Sequence, residues 1–130
     1  MKLRYFVPLA VSAALLLGEP KYEMSHYVMG LLRRGPNAGT GDQAERERVQ
    51  EGHLANIRKM AATGKLIVAG PFEDNGDLRG VFIFQGVTVD EARAMTDADP
   101  AIKAGRLILE LHLWFAAAGL KVNPPKAAAP

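Results

Sequence analysis

The sequence contains no cysteine among its 130 residues. Disulfide bonds, thiolate metal ligands and a cysteine nucleophile are therefore excluded. Aromatic residues make up only 7% of the chain, and the charges nearly balance, with a formal net charge of +2. Because the basic residues do not gather in one stripe of the sequence, the composition does not favour a nucleic-acid partner.

A long apolar run is also missing. Residues 5–18 form the longest candidate, with 14 uncharged positions that follow Lys2 and Arg4, whereas a helix that crosses a bilayer needs about 20 apolar residues. A charged start and a short apolar run are typical of an export signal. We expect residues 1–18 to be a signal peptide and the mature chain, beginning near Glu19, to be secreted or periplasmic without a stable membrane anchor. An uncleaved anchor is the alternative, and Pro8 counts against it.

The rest of the chain alternates between strand and helix patterns. Strands are predicted over 26–34, 65–71, 78–86 and 106–115, and helices over 43–63 and 89–95, with a short helical turn at 99–105. The order βαββαβ predicts an α+β, ferredoxin-like fold with helices on one face of an antiparallel sheet. The last residues, 119–130, have no pattern to pack and are predicted to be disordered.

The last predicted strand alternates between two chemically different faces. The apolar face, which should meet the helices, consists of Leu107, Leu109, Leu111, Leu113 and Phe115. The other face carries Glu110, His112 and Trp114 among apolar residues, and such a face needs a cover. A second copy of the sheet is the simplest cover, so we predict a two-fold homodimer with a cleft between the two sheets. His112 and Trp114 would contact a small organic ligand there, unless Glu110 and His112 are only a polar pair at the interface.

His53 is the first candidate for chemistry. At helical spacing it falls between Val49 and Ile57, inside the apolar stripe of the first helix. A buried imidazole needs hydrogen-bond partners for its ring nitrogens. It is therefore either a satisfied core histidine or a proton-transfer group.

Asp99 is the second candidate. Helix initiation alone explains it, because Asp is a preferred N-cap and Pro100 suits the first helical position. A carboxylate has two oxygens, however. One can accept the N–H group of the cap while the other pairs with an imidazole.

Several segments together resemble the YCII-related (YciI-like) family. They are HLANIRKMAATGKLIVAGPF at 53–72, DLRGVFIF at 77–84, EARAMTDADPAIKAGRL at 91–107 and ELHLWF at 110–115. The resemblance predicts a YCII-like domain over 24–118. It implies a ferredoxin-like fold of the dimeric α/β-barrel type and a His–Asp pair in the active site, which here falls on His53 and Asp99. The export-signal pattern and the loop RRGPNAGTGD at 33–42 depart from the family.

These observations predict a small-molecule enzyme. His53 would take a proton from a small organic molecule, Asp99 would position the imidazole, and Phe72 and Trp114 would hold the ligand. An isomerisation or elimination of this kind needs no redox cofactor, so none is expected. No spacing of histidines and acids forces a metal site, and none is predicted. Arg79 could meet an anionic substrate, although a solvated surface arginine is the simpler interpretation.

A non-catalytic homodimer is the competing hypothesis. It would bind a small ligand or serve as an accessory domain, and the contact between His53 and Asp99 would be only structural. The sequence shows no clear second catalytic group, such as an oxyanion donor, which an enzyme should have. Both hypotheses therefore stay open at this point.

Overall fold

A computed structural model of the chain describes residues 21–122. The predicted signal peptide and residues 123–130 of the predicted disordered tail lie outside the described residues. In chain order the elements are β1 (Met24–Arg34), α1 (Gln43–Ala62), β2 (Leu66–Pro71), β3 (Leu78–Gln85), α2 (Val89–Thr96), α3 (Pro100–Lys103) and β4 (Leu107–Ala117). The elements follow the predicted order. β1 starts earlier and β4 ends later than predicted, because Met24 and Ser25 pair with Ala117 and Ala116.

The four strands form one antiparallel sheet in the order β2-β3-β1-β4. In the register, Gly30 of β1 lies opposite Phe82 of β3 and Leu111 of β4. The helices pack on the face that carries these residues, which we call the helix face, and the opposite side is the outer face. This α+β architecture is consistent with the predicted ferredoxin-like arrangement.

The core lies between the helix face and the helices. Its buried side chains are Val28, Leu32, Met60, Leu66, Phe82, Phe84 and Ala92. The rings of Phe82 and Phe84 meet edge to face with their centroids 6.0 Å apart, a favoured aromatic geometry. Burial of each large apolar side chain contributes about 1.5–3 kcal/mol, so this cluster is the main source of stability for the fold.

The prediction for β4 is correct for its first half and wrong for its second half. Leu107, Leu109 and Leu111 pack against the core. Leu113 and Phe115 share their face, but they are 61% and 57% exposed. The physical reason is length, since α2 and α3 contribute only 8 and 4 residues and do not reach the end of an 11-residue strand.

α1 has an unusually polar buried side. Asp42, a residue type that is preferred at helix starts, caps α1 by accepting the N–H of Glu45 at 2.8 Å. Its buried residues are His53, Asn56 and Met60, so two of the three carry polar groups that need partners. None of the helices in residues 21–122 combines the length and apolar character that a membrane crossing requires.

Candidate active site

His53 and Asp99 are in direct contact beneath α1. His53 Nδ1 lies 2.6 Å from Asp99 Oδ2. The aspartate is fully buried, and the histidine is only 9% exposed. The predicted contact is therefore present, although the residues are 46 positions apart in the chain.

Asp99 is held rigidly because it also caps a helix. Its Oδ1 accepts the N–H of Ala101 at 2.8 Å, and its own backbone N–H donates to Thr96 O at 2.9 Å. Pro100 occupies the first position of α3, where its missing N–H costs nothing. The two carboxylate oxygens thus have separate tasks, one for the helix cap and one for the imidazole.

Gly52 allows the two elements that carry the pair to approach each other. A Cβ atom at this position of α1 would lie 2.6 Å from Pro100 Cγ, well inside the normal separation of carbon atoms. A glycine inside a helix costs about 1 kcal/mol relative to alanine. The close packing of α1 on α3 explains why it is found there, one residue before His53. A glycine within an otherwise helical pattern was the signal that sequence reasoning overlooked.

The contact fixes which imidazole nitrogen carries the proton. An ionised carboxylate only accepts hydrogen bonds, so Nδ1 of the neutral ring donates its N–H to Asp99. The other nitrogen, Nε2, then carries the lone pair and makes no hydrogen bond within residues 21–122. A carboxylate that orients an imidazole in this way prepares it to accept a proton. The catalytic role of the pair stays a prediction.

His53 lines a cavity of about 590 Å³. The cavity lies between α1 and the helix face, where β1 ends and where β3 and β4 begin. Leu32, Ile57 and Phe82 form part of an apolar wall, and the ring of Phe82 stacks on that of His53 with a centroid separation of 6.5 Å. Cavities of this size accommodate small organic ligands. Within the described part of the chain, no three His, Cys, Asp or Glu side chains cluster as metal ligands would.

Four arginines line the same cavity, and no acidic side chain does. They are Arg34, Arg46, Arg79 and Arg106. Sequence reasoning considered only one of them, Arg79. They come from β1, α1, β3 and the residue before β4, so no local spacing marks them as a group.

The structure does not bring the other predicted ligand-binding residues to this cavity. Phe72 is 37% exposed and does not line it. Trp114 lies on the outer face, where its ring centroid is 5.8 Å from that of Tyr27. His112 is on the outer face as well and is exposed. The expectation that His53 and Trp114 share one cleft is therefore corrected for the single chain, because the sheet separates them.

Glu110 and Arg33 form an ion pair on the outer face. The guanidinium of Arg33 donates to the carboxylate at 2.5 Å. This hydrogen bond is the main reason why the pKa of Glu110 lies below its usual value, and His112, at 3.5 Å, lowers it further. The pair neutralises charge on a face that is otherwise largely apolar.

The comparisons with known proteins place the chain in a family. Its sequence matches the model of the YCII-related domain over residues 27–113, and the chain therefore belongs to the YCII-related domain family. No curated protein matches it.

Seven chains of solved structures match this protein. One is the 5-chloro-2-hydroxyhydroquinone dehydrochlorinase of Burkholderia phenoliruptrix, in complex with 2,5-dihydroxybenzoquinone. It is 25% identical, and the alignment covers 67% of this chain and 92% of that one, with a TM-score of 0.48.

Proposed function

We propose that this protein is a small-molecule enzyme in which His53 and Asp99 transfer a proton. The observation that carries the proposal is the buried contact of 2.6 Å between them, at the wall of a cavity of ligand size. Asp99 holds the proton of the imidazole on Nδ1, which leaves Nε2 as the base. A base positioned in this way contributes typically about 10²–10⁴-fold to a rate.

The chemistry is an isomerisation or an elimination. Nε2 of His53 takes a proton from an acidic carbon of the substrate, and Asp99 stabilises the resulting imidazolium. In an isomerisation the proton returns to another carbon of the same molecule. In an elimination the electron pair of the broken C–H bond forms a double bond as the leaving group departs. His53 and Asp99 supply the proton transfer in both reactions.

A binding protein without catalysis is the alternative, and one observation favours it. Asp99 caps α3, so its position before Pro100 and its burial have a structural explanation that is independent of any reaction. In that case the cavity would hold a small ligand, and the imidazole would only complete the packing between α1 and α3.

Deuterium exchange tests the choice between the two functions. Small enolisable carbonyl compounds, with and without a carboxylate, are incubated with the protein in D2O, and loss of the C–H signal is followed by proton NMR. We expect the wild type to accelerate exchange at least about 100-fold over the His53→Gln variant. Equal exchange by the two proteins, for compounds that both bind, would leave only the binding function.

We also propose that two copies pair through the outer face to give the dimeric α/β-barrel arrangement. Half-buried apolar side chains cover this face: Met29, Leu31, Val68, Val81, Ile83 and Trp114. A two-fold axis would place the same patch on both partners, and the pairing of Arg33 with Glu110 removes the charges that oppose it. Light scattering should give the dimer mass for the wild type and the monomer mass for Ile83→Asp. A folded wild-type monomer at high concentration would refute the pairing.

Export is a separate proposal that rests on the sequence of residues 1–18. Mass spectrometry of the protein from a native host should show a chain that begins near Glu19, in the secreted or periplasmic fraction. Recovery of the intact chain from the membrane fraction would support the uncleaved anchor instead.

A further inference from the structure

We propose that the cavity beside His53 is an anion site, and that its ligand is a small organic acid held by Arg106. The inference names the substrate class of the proposed reaction and in that respect rests on the proposed function. The four arginines define the binding site, which can be tested without any turnover.

Arg106 is a largely buried arginine with an unsatisfied hydrogen-bond donor. Its side chain is only 12% exposed, and its Nε is buried without a hydrogen-bond partner among the described residues. The nearest carboxylate is that of Glu45, whose Oε1 lies 3.6 Å from Nη2, which is too far for a good hydrogen bond. A buried guanidinium group with an unpaired N–H is costly. Because Arg106 lines the cavity, a small shift of its side chain would let an anionic ligand there accept this N–H.

The charge around the cavity is positive. Arg34, Arg46 and Arg79 line the same cavity as Arg106, and no carboxylate does. In residues 21–122 none of these three arginines is within ion-pair distance of an acid, and the only pairing of the four is that of Arg106 with the half-exposed Glu45. Four cations around one concave surface attract an anion and raise its local concentration.

The size and the apolar wall of the cavity suit an organic ligand. A volume of about 590 Å³ exceeds what a simple inorganic ion needs. Leu32, Ile57 and Phe82 supply an apolar wall beside the arginines, where the hydrocarbon part of a ligand can be buried. An arginine binds a carboxylate through two parallel hydrogen bonds. Together these features fit a carboxylate attached to a small apolar or aromatic body.

Benzoate and benzamide are the probes, because they share size and shape and differ in charge. Binding is measured by NMR shift titration of the full-length mature protein. We expect benzoate to bind with a Kd of about 1 mM, with shifts at His53 and Arg106, and benzamide to bind at least about 10-fold more weakly. Added salt should weaken the binding of benzoate but not the binding of benzamide. Equal binding of the two probes, or no binding of benzoate, would overturn the proposal.

Matched variants locate the charge that matters. Arg106→Gln should weaken benzoate about 10-fold, whereas Arg48→Gln, which removes the same charge from an exposed position of α1 outside the cavity, should have no effect. Equal weakening by both variants would reduce the site to bulk electrostatics and refute it. If Arg106→Gln does not fold, the exposed Arg34 and Arg46 replace it, and each change to Gln should weaken benzoate about threefold.

Two further comparisons distinguish the organic-acid site from a simple anion site and from the proton-transfer function. Inorganic phosphate should compete poorly with benzoate, and competition at equal concentration would make the cavity a simple anion site and overturn the organic-acid assignment. If benzoate binds to the wild type as expected while the exchange test of His53 fails, the anion site stands and the proton-transfer function falls.

Discussion

Replacing Gly52 with alanine is expected to push His53 and Asp99 apart. The new methyl group would lie 2.6 Å from Pro100 Cγ, about 0.9 Å inside the optimal separation of carbon atoms. The side chain of Pro100 is a rigid ring that cannot turn aside. The strain is therefore relieved by a movement of the short helix α3 away from α1. A similar displacement of Asp99 would stretch its 2.6 Å contact with His53 beyond about 3.2 Å, the usual limit of a hydrogen bond.

Two opposing terms decide the stability of Gly52→Ala. Alanine improves the intrinsic stability of the helix by about 1 kcal/mol. Overpacking costs about 1–3 kcal/mol, and the loss of a buried hydrogen bond to a charged group costs about 1.5–3 kcal/mol. Since the loss of contact also relieves part of the overpacking, the costs are not additive. We expect a net destabilisation of about 1–3 kcal/mol.

Urea unfolding measures this change, and nitrogen NMR of the imidazole reports the contact directly. In the wild type Nδ1 of His53 should be protonated and protected from solvent exchange, and in Gly52→Ala this protection should be lost. Glu51→Ala, an exposed neighbour on α1, is the control and should change neither quantity. A Gly52→Ala protein that is more stable than the wild type and keeps the protected N–H would refute the packing argument.

Three further predictions concern single positions. Gly35→Ala should destabilise the protein by about 1–3 kcal/mol in urea unfolding, because a Cβ there would overlap a backbone carbonyl of the turn before β4. Glu110→Gln should lower stability at neutral pH but not in acid. Since the folded state lowers the pKa of Glu110, its hydrogen bond to Arg33 stabilises the fold above pH 4.5, the ordinary pKa of the group. This stability is lost as the pH falls through the pKa of the folded state. Parallel curves of unfolding free energy against pH for the two proteins would exclude this contribution. Asp99→Asn should lower the free energy of unfolding by about 1–3 kcal/mol and abolish the exchange of substrate C–H groups for deuterium. Unchanged substrate exchange would show that Asp99 has no part in the mechanism.

Local rules account for the parts of the fold that the sequence predicts well. Strand and helix periodicity places the elements, and cap chemistry predicts that Asp99 is an N-cap, which the structure confirms. The position of His53 within an apolar stripe also pointed correctly to its burial. Each of these inferences depends on residues fewer than about eight positions apart, which is the range over which such rules act.

The features that the sequence did not reveal depend on distant parts of the chain. Alternation shows which face Leu113 occupies, but only the lengths of the helices decide whether that face is covered. The arginines of the cavity lie between positions 34 and 106, and nothing local distinguishes them from surface arginines. The separation of Trp114 from His53, by contrast, follows from the alternation itself, which already assigns Trp114 to the face away from the helices.

The double task of Asp99 determines how its chemistry can be distinguished from its structural role. Asparagine at this position keeps an oxygen that can accept the N–H of Ala101, so the cap of α3 survives. It then presents an amide N–H to His53, which forces Nδ1 to become the acceptor and moves the imidazole proton to Nε2. The nitrogen beside the cavity would thereby lose its basic lone pair in a protein whose fold is intact. Both a structural and a catalytic pair predict this change of tautomer and a loss of stability, whereas only a catalytic pair also predicts the loss of substrate deuterium exchange.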